Sequence, residues 1–405
     1  MAREKIITTL DIGTETIKLL VCQKSPQEKN IKVLGQFEKK SEGVRRGVVI
    51  DPEKVSKKIK EIKEVAQRFL SKKISSLFVN IGGSHLTCFH SHGVVAVSRA
   101  DGKISQEDVE RVIDSAQNTK LPPNREILDY FPQEFIIDGE KGIKDPIGLK
   151  GIKLEVKTLL LLAFSPYLKN LTEAVLNVPL EIEDILPTPL ASSEAVLTDQ
   201  DKELGVAVLD MGAGTTSLAV FEEGNLIHTA VFPVGSSNIT NDIAIGLRCS
   251  ISLAEKIKKE YGSFFFSLKK KKKEKDKIKV TNHKEEVVFS QKEISKIIEM
   301  RVCEIFEEVS KELKRVCKQT LLPAGVVLTG GGIKLPKIVD LAKRELKLPC
   351  RIGKPKGFSN LKEELSFSVC CGLAKYAFQE EIKEGKESFE KIKEKIKKFF
   401  RIFIP

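Results

Sequence analysis

Asp11 and Asp210 are the residues whose setting in this chain is best suited to chemistry. Each ends an apolar, strand-like run and is followed by glycine and hydroxyl residues: residues 6–16 read IITTLDIGTET, and residues 206–216 read VAVLDMGAGTT. Apolar residues return after each turn, at 17–21 and 218–221, as in a β-hairpin. Glycine lets the backbone come close to a ligand, successive amides can form an anion-binding concavity, and a carboxylate beside them can hold a hard cation. One Asp-x-Gly-Thr is an ordinary hairpin turn. Two copies facing each other would form a phosphate clamp, with a cation between Asp11 and Asp210.

A third element extends the pattern. Residues 324–328 form a short apolar run, followed by Thr329, Gly330, Gly331 and Gly332, and then by helical spacing through Leu335, Ile338, Leu341 and Leu346. Strand, glycines and helix in that order can cradle a nucleotide, although a tight packing turn accounts for this element taken alone. Asp11-Ile12-Gly13-Thr14, Asp210-Met211-Gly212-Ala213-Gly214-Thr215 and Gly330-Gly331-Gly332 resemble the phosphate 1, phosphate 2 and adenosine motifs of the actin, Hsp70 and sugar kinase superfamily. Within it the chain is similar to the FtsA family of bacterial cell-division proteins. Further likenesses are PQEF at 132–135, GIKDPIGL at 142–149, LASS at 190–193 and NDIA at 241–244.

The resemblance implies an α/β fold: an actin-like two-lobed ATPase of two RNase H-like subdomains, with an FtsA-type inserted 1C domain and a C-terminal amphipathic helix. It implies ATP with Mg²⁺ in the cleft. The phosphates would be held at Gly13 and Thr14 on one side and at Gly212, Ala213, Gly214 and Thr215 on the other, with the base over Gly330, Gly331 and Gly332. Asp11 would coordinate Mg²⁺ through water, and Asp210, also near the ion, would orient the attacking water. Hydrolysis is expected to be slow at most.

Composition agrees with such a molecule. The chain has 405 residues and 41% apolar content, enough for two or three ordinary cores. No apolar run of 18 residues exists, and Asp11 interrupts the N-terminal one, so neither a spanning helix nor a signal peptide is expected. Eight cysteines without a C-x-x-C pair read as core thiols in a reducing compartment, with Cys303 and Cys317 on a helix's apolar face. His85, His90 and His92 lack zinc-ligand spacing.

The net charge of +12 is concentrated in two places. Residues 267–280 hold eight lysines against two acids, and residues 386–405 hold seven basic residues against three acids. The remainder is nearly balanced, without the broad basic face or interleaved aromatics that nucleic acid requires, so nucleic acid is not an expected partner. The lysine run 269–273 reads as a solvated loop, with a second foothold on anionic lipid as the alternative.

In the tail, Phe389, Ile392, Ile396, Phe399, Phe400, Phe403 and Ile404 fall within an arc of roughly 140° on a helical projection. Lys397, Lys398 and Arg401 lie outside that arc, together with Lys391 and Lys395. Lys393 intrudes on the arc and Ile402 leaves it, yet the pattern predicts a helix lying on an anionic membrane surface and anchoring the chain reversibly, with a C-terminal helix docked on its own domain as the alternative.

The pattern predicts a first lobe over 1–82 and 163–204, an inserted 1C-type domain over 83–162, and a second lobe over 205–237 and 323–378. A second insertion, the 2B subdomain, is expected over 238–322, a tether over 379–388 and the amphipathic helix over 389–405. On the helix at 252–261, Glu255 and Lys258 are three apart; an intrahelical ion pair explains the spacing, while the resemblance implies a grip on ribose and adenine. The resemblance also implies that the 2B subdomain docks the FtsZ C-terminal peptide and that the 1C-type domain serves self-association and contact with other division proteins. The implied function is an actin-like filament on the cytoplasmic face of the membrane at the division site, anchoring FtsZ there and helping to recruit septum-synthesis proteins. A PilM-type pilus-assembly adaptor and a sugar kinase-like phosphotransferase are the alternatives.

Overall fold

The computed structural model describes residues 5–25, 28, 30–267, 277–282, 285–317 and 322–384. The lysine run 269–273 and the amphipathic tail 389–405 lie outside the described residues.

The chain opens with β1 (Lys5–Ile12), β2 (Thr16–Lys24) and β3 (Ile31–Lys40), a meander of antiparallel strands. A small ribbon of β4 (Val44–Arg45) and β5 (Val48–Val49) leads to α1 (Pro52–Leu70) and β6 (Ser76–Ile81). Helix α1 starts where Asp51 accepts the Lys54 N–H at 3.2 Å, with Pro52 in the first turn where its missing N–H costs nothing. Its buried stripe of Val55, Ile59, Ile62 and Ala66 packs into the core of this first sheet.

An inserted domain follows, comprising β7 (Thr87–Ala96), α2 (Gln106–Gln117), β8 (Arg125–Ile137), β9 (Glu140–Ile143) and β10 (Lys153–Phe164). Its sheet runs β7-β10-β8-β9, and α2 begins with the reciprocal capping box that Ser105 and Asp108 predict. The chain returns through α3 (Ser165–Leu176), β11 (Glu181–Pro187), α4 (Thr188–Val196) and α5 (Asp199–Leu204).

The second lobe repeats the first meander with β12 (Val206–Met211), β13 (Thr216–Glu222) and β14 (Asn225–Phe232). Next come α6 (Ser236–Leu247), α7 (Ile251–Tyr261), the ribbon β15 (Lys277–Asn282) and β16 (Glu285–Ser290), and the long α8 (Gln291–Val316). Strand β17 (Val326–Thr329), a 3₁₀ turn at Gly331–Lys334, α9 (Ile338–Leu346) and β18 (Cys350–Ile352) complete a sheet ordered β14-β13-β12-β17-β18.

The chain then crosses back. Strand β19 (Phe358–Ser359) pairs in parallel with β3, closing the first sheet as β11-β6-β1-β2-β3-β19, and α10 (Ser368–Glu384) packs on α4, β1, β2 and β6. Residues from 358 onward thus belong with the first sheet, whereas the sequence pattern assigns them through Phe378 to the second lobe. Pairing and packing are the reason: β19 joins β3 and α10 lies on α4, β1, β2 and β6, while Cys370, Cys371, Leu373, Ala374 and Ala377 fill a core that Cys22, Leu20 and Ala191 share with Val208, Ala219 and Val327 of the second sheet. Helix α10 also runs to Glu384, so the first part of the expected tether is helical.

Candidate functional site

The two aspartates reach one cleft from hairpins that are built alike. In the first, Ile12 faces Ile17 and Asp11 faces Lys18 across the strands, and the Gly13 N–H closes the turn on Thr16 O at 3.1 Å. In the second, Met211 faces Thr216 and Asp210 faces Ser217, with the Gly212 N–H on Thr215 O at 2.8 Å. The tips meet: a Cβ on Gly214 would lie 2.6 Å from Thr14 Oγ1, so any side chain there would have to displace Thr14. Thr14 Oγ1 in turn accepts from the Gly47 N–H at 2.9 Å. At the third turn Gly330 has φ +93°, and a Cβ on it would fall 2.2 Å from Asp210 Oδ1 and 2.6 Å from Met211 O.

Between these turns lies a cavity of about 290 Å³. Asp11, Gly13 and Thr14 line it from the first hairpin, Asp210, Gly212, Ala213 and Thr215 from the second, and Gly330, Gly331 and Gly332 from the third turn. Gly214 backs onto Thr14 instead of joining the wall.

Glu255 and Lys258 do not line the cavity. They form an ion pair at 2.7 Å, and Lys258 Nζ also reaches Thr240 Oγ1 at 2.8 Å and Ser236 O at 3.2 Å, tying α7 to α6. The next residue, Lys259, lines the cavity and pairs with Glu255 at 3.3 Å.

Two residues that motif reasoning passes over complete the site. Lys18 Nζ sits 3.0 Å from Asp11 Oδ2, the aspartate buried and the lysine half-buried on the cavity wall. Burial opposes the charge on Lys18, but Asp11 outweighs it and raises the ammonium above its ordinary pKa. A lysine inside an otherwise apolar strand was the available signal. Asn80, at the end of β6, accepts the Ile12 N–H at 2.8 Å and donates to Thr188 Oγ1 at 3.0 Å, joining the first hairpin to the start of α4.

Electrostatically the two aspartates differ. Asp11 has its own cation. Asp210 is 6% exposed, and the nearest opposing charge acting on it is that of Lys18, which is paired with Asp11. Burial first, and the charge of Asp11 second, push its pKa up to about 7, with Lys18 opposing. Two convergent carboxylates beside turn amides suit a hard cation that takes the rest of its shell from phosphate oxygens and water. Among the described residues no group of three or more His, Cys, Asp or Glu could hold a metal alone. Two buried carboxylates facing one cavity beside glycine turns therefore suit Mg²⁺ brought with a nucleotide, with Asp210 and Asp11 as the residues that would hold it.

Comparison with known proteins agrees with this architecture. A profile of the cell division protein FtsA matches residues 207–372, and one of the SHS2 domain inserted in FtsA matches residues 83–162. The cell division protein FtsA of Pseudomonas aeruginosa is 35% identical over 382 residues, spanning 93% of this chain and 90% of that one. Among solved structures, the PilM-PilN type IV pilus biogenesis complex matches with a TM-score of 0.64 at 17% identity, over 91% of this chain and 97% of that one. MreB5 of Spiroplasma citri bound to ADP matches with a TM-score of 0.52 at 14% identity, over 94% and 98%. At these identities the structural matches show the fold, which is actin-like with an inserted SHS2 domain. Taken with the identity across nearly the whole length, they place this chain in the FtsA family of cell division proteins.

Proposed function

We propose that this protein binds ATP with Mg²⁺ between its lobes and acts as a membrane-associated, actin-like adaptor that polymerises on the cytoplasmic face at the division site, anchors FtsZ filaments there and helps recruit septum-synthesis proteins. The observation that carries the nucleotide reading is the pair of equivalent hairpins meeting at Gly214 and Thr14, with Asp11 and Asp210 in one cavity. The two turns at Gly13–Thr14 and residues 212–215 bind phosphate, with the amides of Thr14 and residues 213–215 as the donors because those of Gly13 and Gly212 already close their turns on Thr16 O and Thr215 O, and the turn at 330–332 receives the base. Lys18 already compensates Asp11, so Asp210 carries the larger uncompensated charge toward the cation and orients the water at the γ-phosphate. The cation supplies charge neutralisation of the triphosphate when bound.

The adaptor role is supported by family membership and by the amphipathic pattern of 389–405, in which each basic residue near anionic lipid contributes about 1 kcal/mol. Co-sedimentation with anionic liposomes tests it, using ATP, an FtsZ tail peptide, the full chain and a chain ending at Ser388. The full chain pellets with lipid and carries the peptide with it; the truncated chain keeps ATP and peptide but stays in solution. Equal lipid binding by both chains refutes the tail's role, and failure of either to bind peptide refutes the FtsZ reading.

A further inference from the structure

The inserted domain is rooted in one lobe and clasped to the other. It leaves the first sheet after β6 at Gly82 and returns at Phe164, and His85 stitches these crossings together. One ring nitrogen of His85, Nε2, lies 2.9 Å from Gly82 O, while Nδ1 accepts the Phe164 N–H at 3.2 Å. Gly82 itself lines the cleft, so the root of the domain stands on the cleft wall.

Its flank rests on β14, the edge strand of the second sheet. Gln133 Nε2 donates to Leu226 O at 3.0 Å, and the Thr229 N–H donates to Cys88 Sγ at 3.2 Å. Cys88 Sγ also lies 3.5 Å from Thr229 Oγ1, and Phe131 and Cys88 pack against the core that contains Leu226. The backbone of this edge strand is therefore met by side chains, one of them a thiol that is a weak acceptor, instead of by a continuous strand ladder. Such contacts can part and re-form without breaking either sheet, and they bridge the two bodies whose separation sets the width of the cleft.

We propose that the inserted domain is a strap across the hinge, which shifts its hold on β14 as the cleft opens and closes, so that the occupancy of the cleft is displayed on the domain's outer surface. This rests on the reading that a nucleotide occupies the cleft. The register at Cys88 and Thr229 supplies the test. In the full chain, Thr229→Cys places a second thiol against the native Cys88. Disulfide formation under mild oxidant is followed by mass spectrometry with and without Mg²⁺ and ATP, while a fluorescent ATP analogue reports binding separately.

The bond is expected to form in the nucleotide-free protein, with a rate altered about fivefold or more by saturating ATP, the low end of ordinary coupling between sites. The linked protein should bind the analogue with an affinity different from that of the unlinked one. Equal rates in protein shown to bind the analogue overturn the strap, as does failure of the bond to form in any state. Absence of analogue binding refutes the nucleotide reading itself and takes the strap with it. Hydrogen exchange on the unsubstituted protein is the second measurement: amides of β14 should change protection with ATP, and unchanged protection at saturation refutes the proposal without any variant.

Discussion

Replacing Asp210 with asparagine should make the nucleotide-free protein more stable at pH 8. The carboxyl moves from an ordinary 3.8 to about 7 on folding because it is buried beside Asp11. The folded state therefore holds the proton more tightly than the unfolded chain does. The resulting penalty is absent below the unfolded pKa, grows as pH rises, and is complete above the folded one. At roughly 1.4 kcal/mol per pKa unit it reaches about 4 kcal/mol at pH 8 and less than half of that at pH 5. Asparagine has the same shape and no charge, so the variant escapes it. At roughly 2 °C per kcal/mol for a chain of this size, Asp210→Asn should melt some 8 °C above the natural protein at pH 8, with a much smaller gap at pH 5. Differential scanning calorimetry in EDTA, without nucleotide, measures both. The difference between the two proteins is the informative quantity, since His85 changes the natural protein's stability in the opposite sense over the same pH range. A variant that melts at or below the natural protein at pH 8, or a gap that does not narrow at pH 5, refutes the assignment of Asp210 as the uncompensated carboxylate. The stabilised variant should also lose the Mg²⁺-dependent part of its ATP affinity, the exchange of stability for function expected where charge is held ready for a ligand.

Lys18→Met should destabilise by about 3–5 kcal/mol in urea denaturation, because it leaves Asp11 buried without its cation; adding Asp11→Asn should recover much of that, and strictly additive losses would refute the pairing. Gly330→Ala brings a Cβ to 2.2 Å from Asp210 Oδ1 at φ +93° and should lower ATP affinity about tenfold or more in calorimetry, whereas unchanged affinity would mean that the third turn does not shape the site. Burial, partly offset by the Gly82 carbonyl, pushes the His85 pKa down to about 4, so the stability it contributes is whole above pH 6.5 and is lost as pH falls toward 4, by up to about 3 kcal/mol. The melting difference between the natural protein and His85→Gln should accordingly shrink between pH 7 and pH 4.5, and a constant difference would refute a neutral His85 joining Gly82 and Phe164 at the root of the inserted domain.

What the sequence reveals about this molecule follows the range of the interactions involved. The hairpins at Asp11 and Asp210 are legible because a turn is chemically local: glycine, hydroxyls and the flanking apolar runs all lie within a dozen residues, and the repetition of the set argues for a ligand. The Ser105–Asp108 capping box is legible for the same reason. Lys18 is not, since its significance depends on the strand register that sets it opposite Asp11 and on the burial of that carboxylate. The spacing of Glu255 and Lys258 fits an ion pair and a ligand grip equally well, and only the packing of α7 on α6 turns the pair toward Thr240 and away from the cavity wall. The return of the chain to the first sheet is hidden for a different reason. Strand β19 is two residues long, and α10 has apolar residues on most of its circumference, so no periodicity indicates which lobe it covers.

That return has a consequence for the cleft. Thr329, at the end of β17 in the second sheet, shares a buried hydrogen bond of 2.6 Å with Ser368 at the start of α10, and Cys370 O accepts from Thr9 Oγ1 on β1 at 3.1 Å. A single turn of α10 therefore ties the strand that carries Gly330 to the strand that carries Asp11. At this junction the two lobes share buried hydrogen bonds, which are costly to leave unmade, whereas at β14 they are bridged through side chains of the inserted domain. If the lobes rotate, the turn around Ser368 is the better pivot and the contact at Cys88 the one that gives way, so Ser368→Ala should weaken nucleotide affinity while leaving disulfide formation between Cys88 and a cysteine at 229 in the nucleotide-free state nearly unchanged.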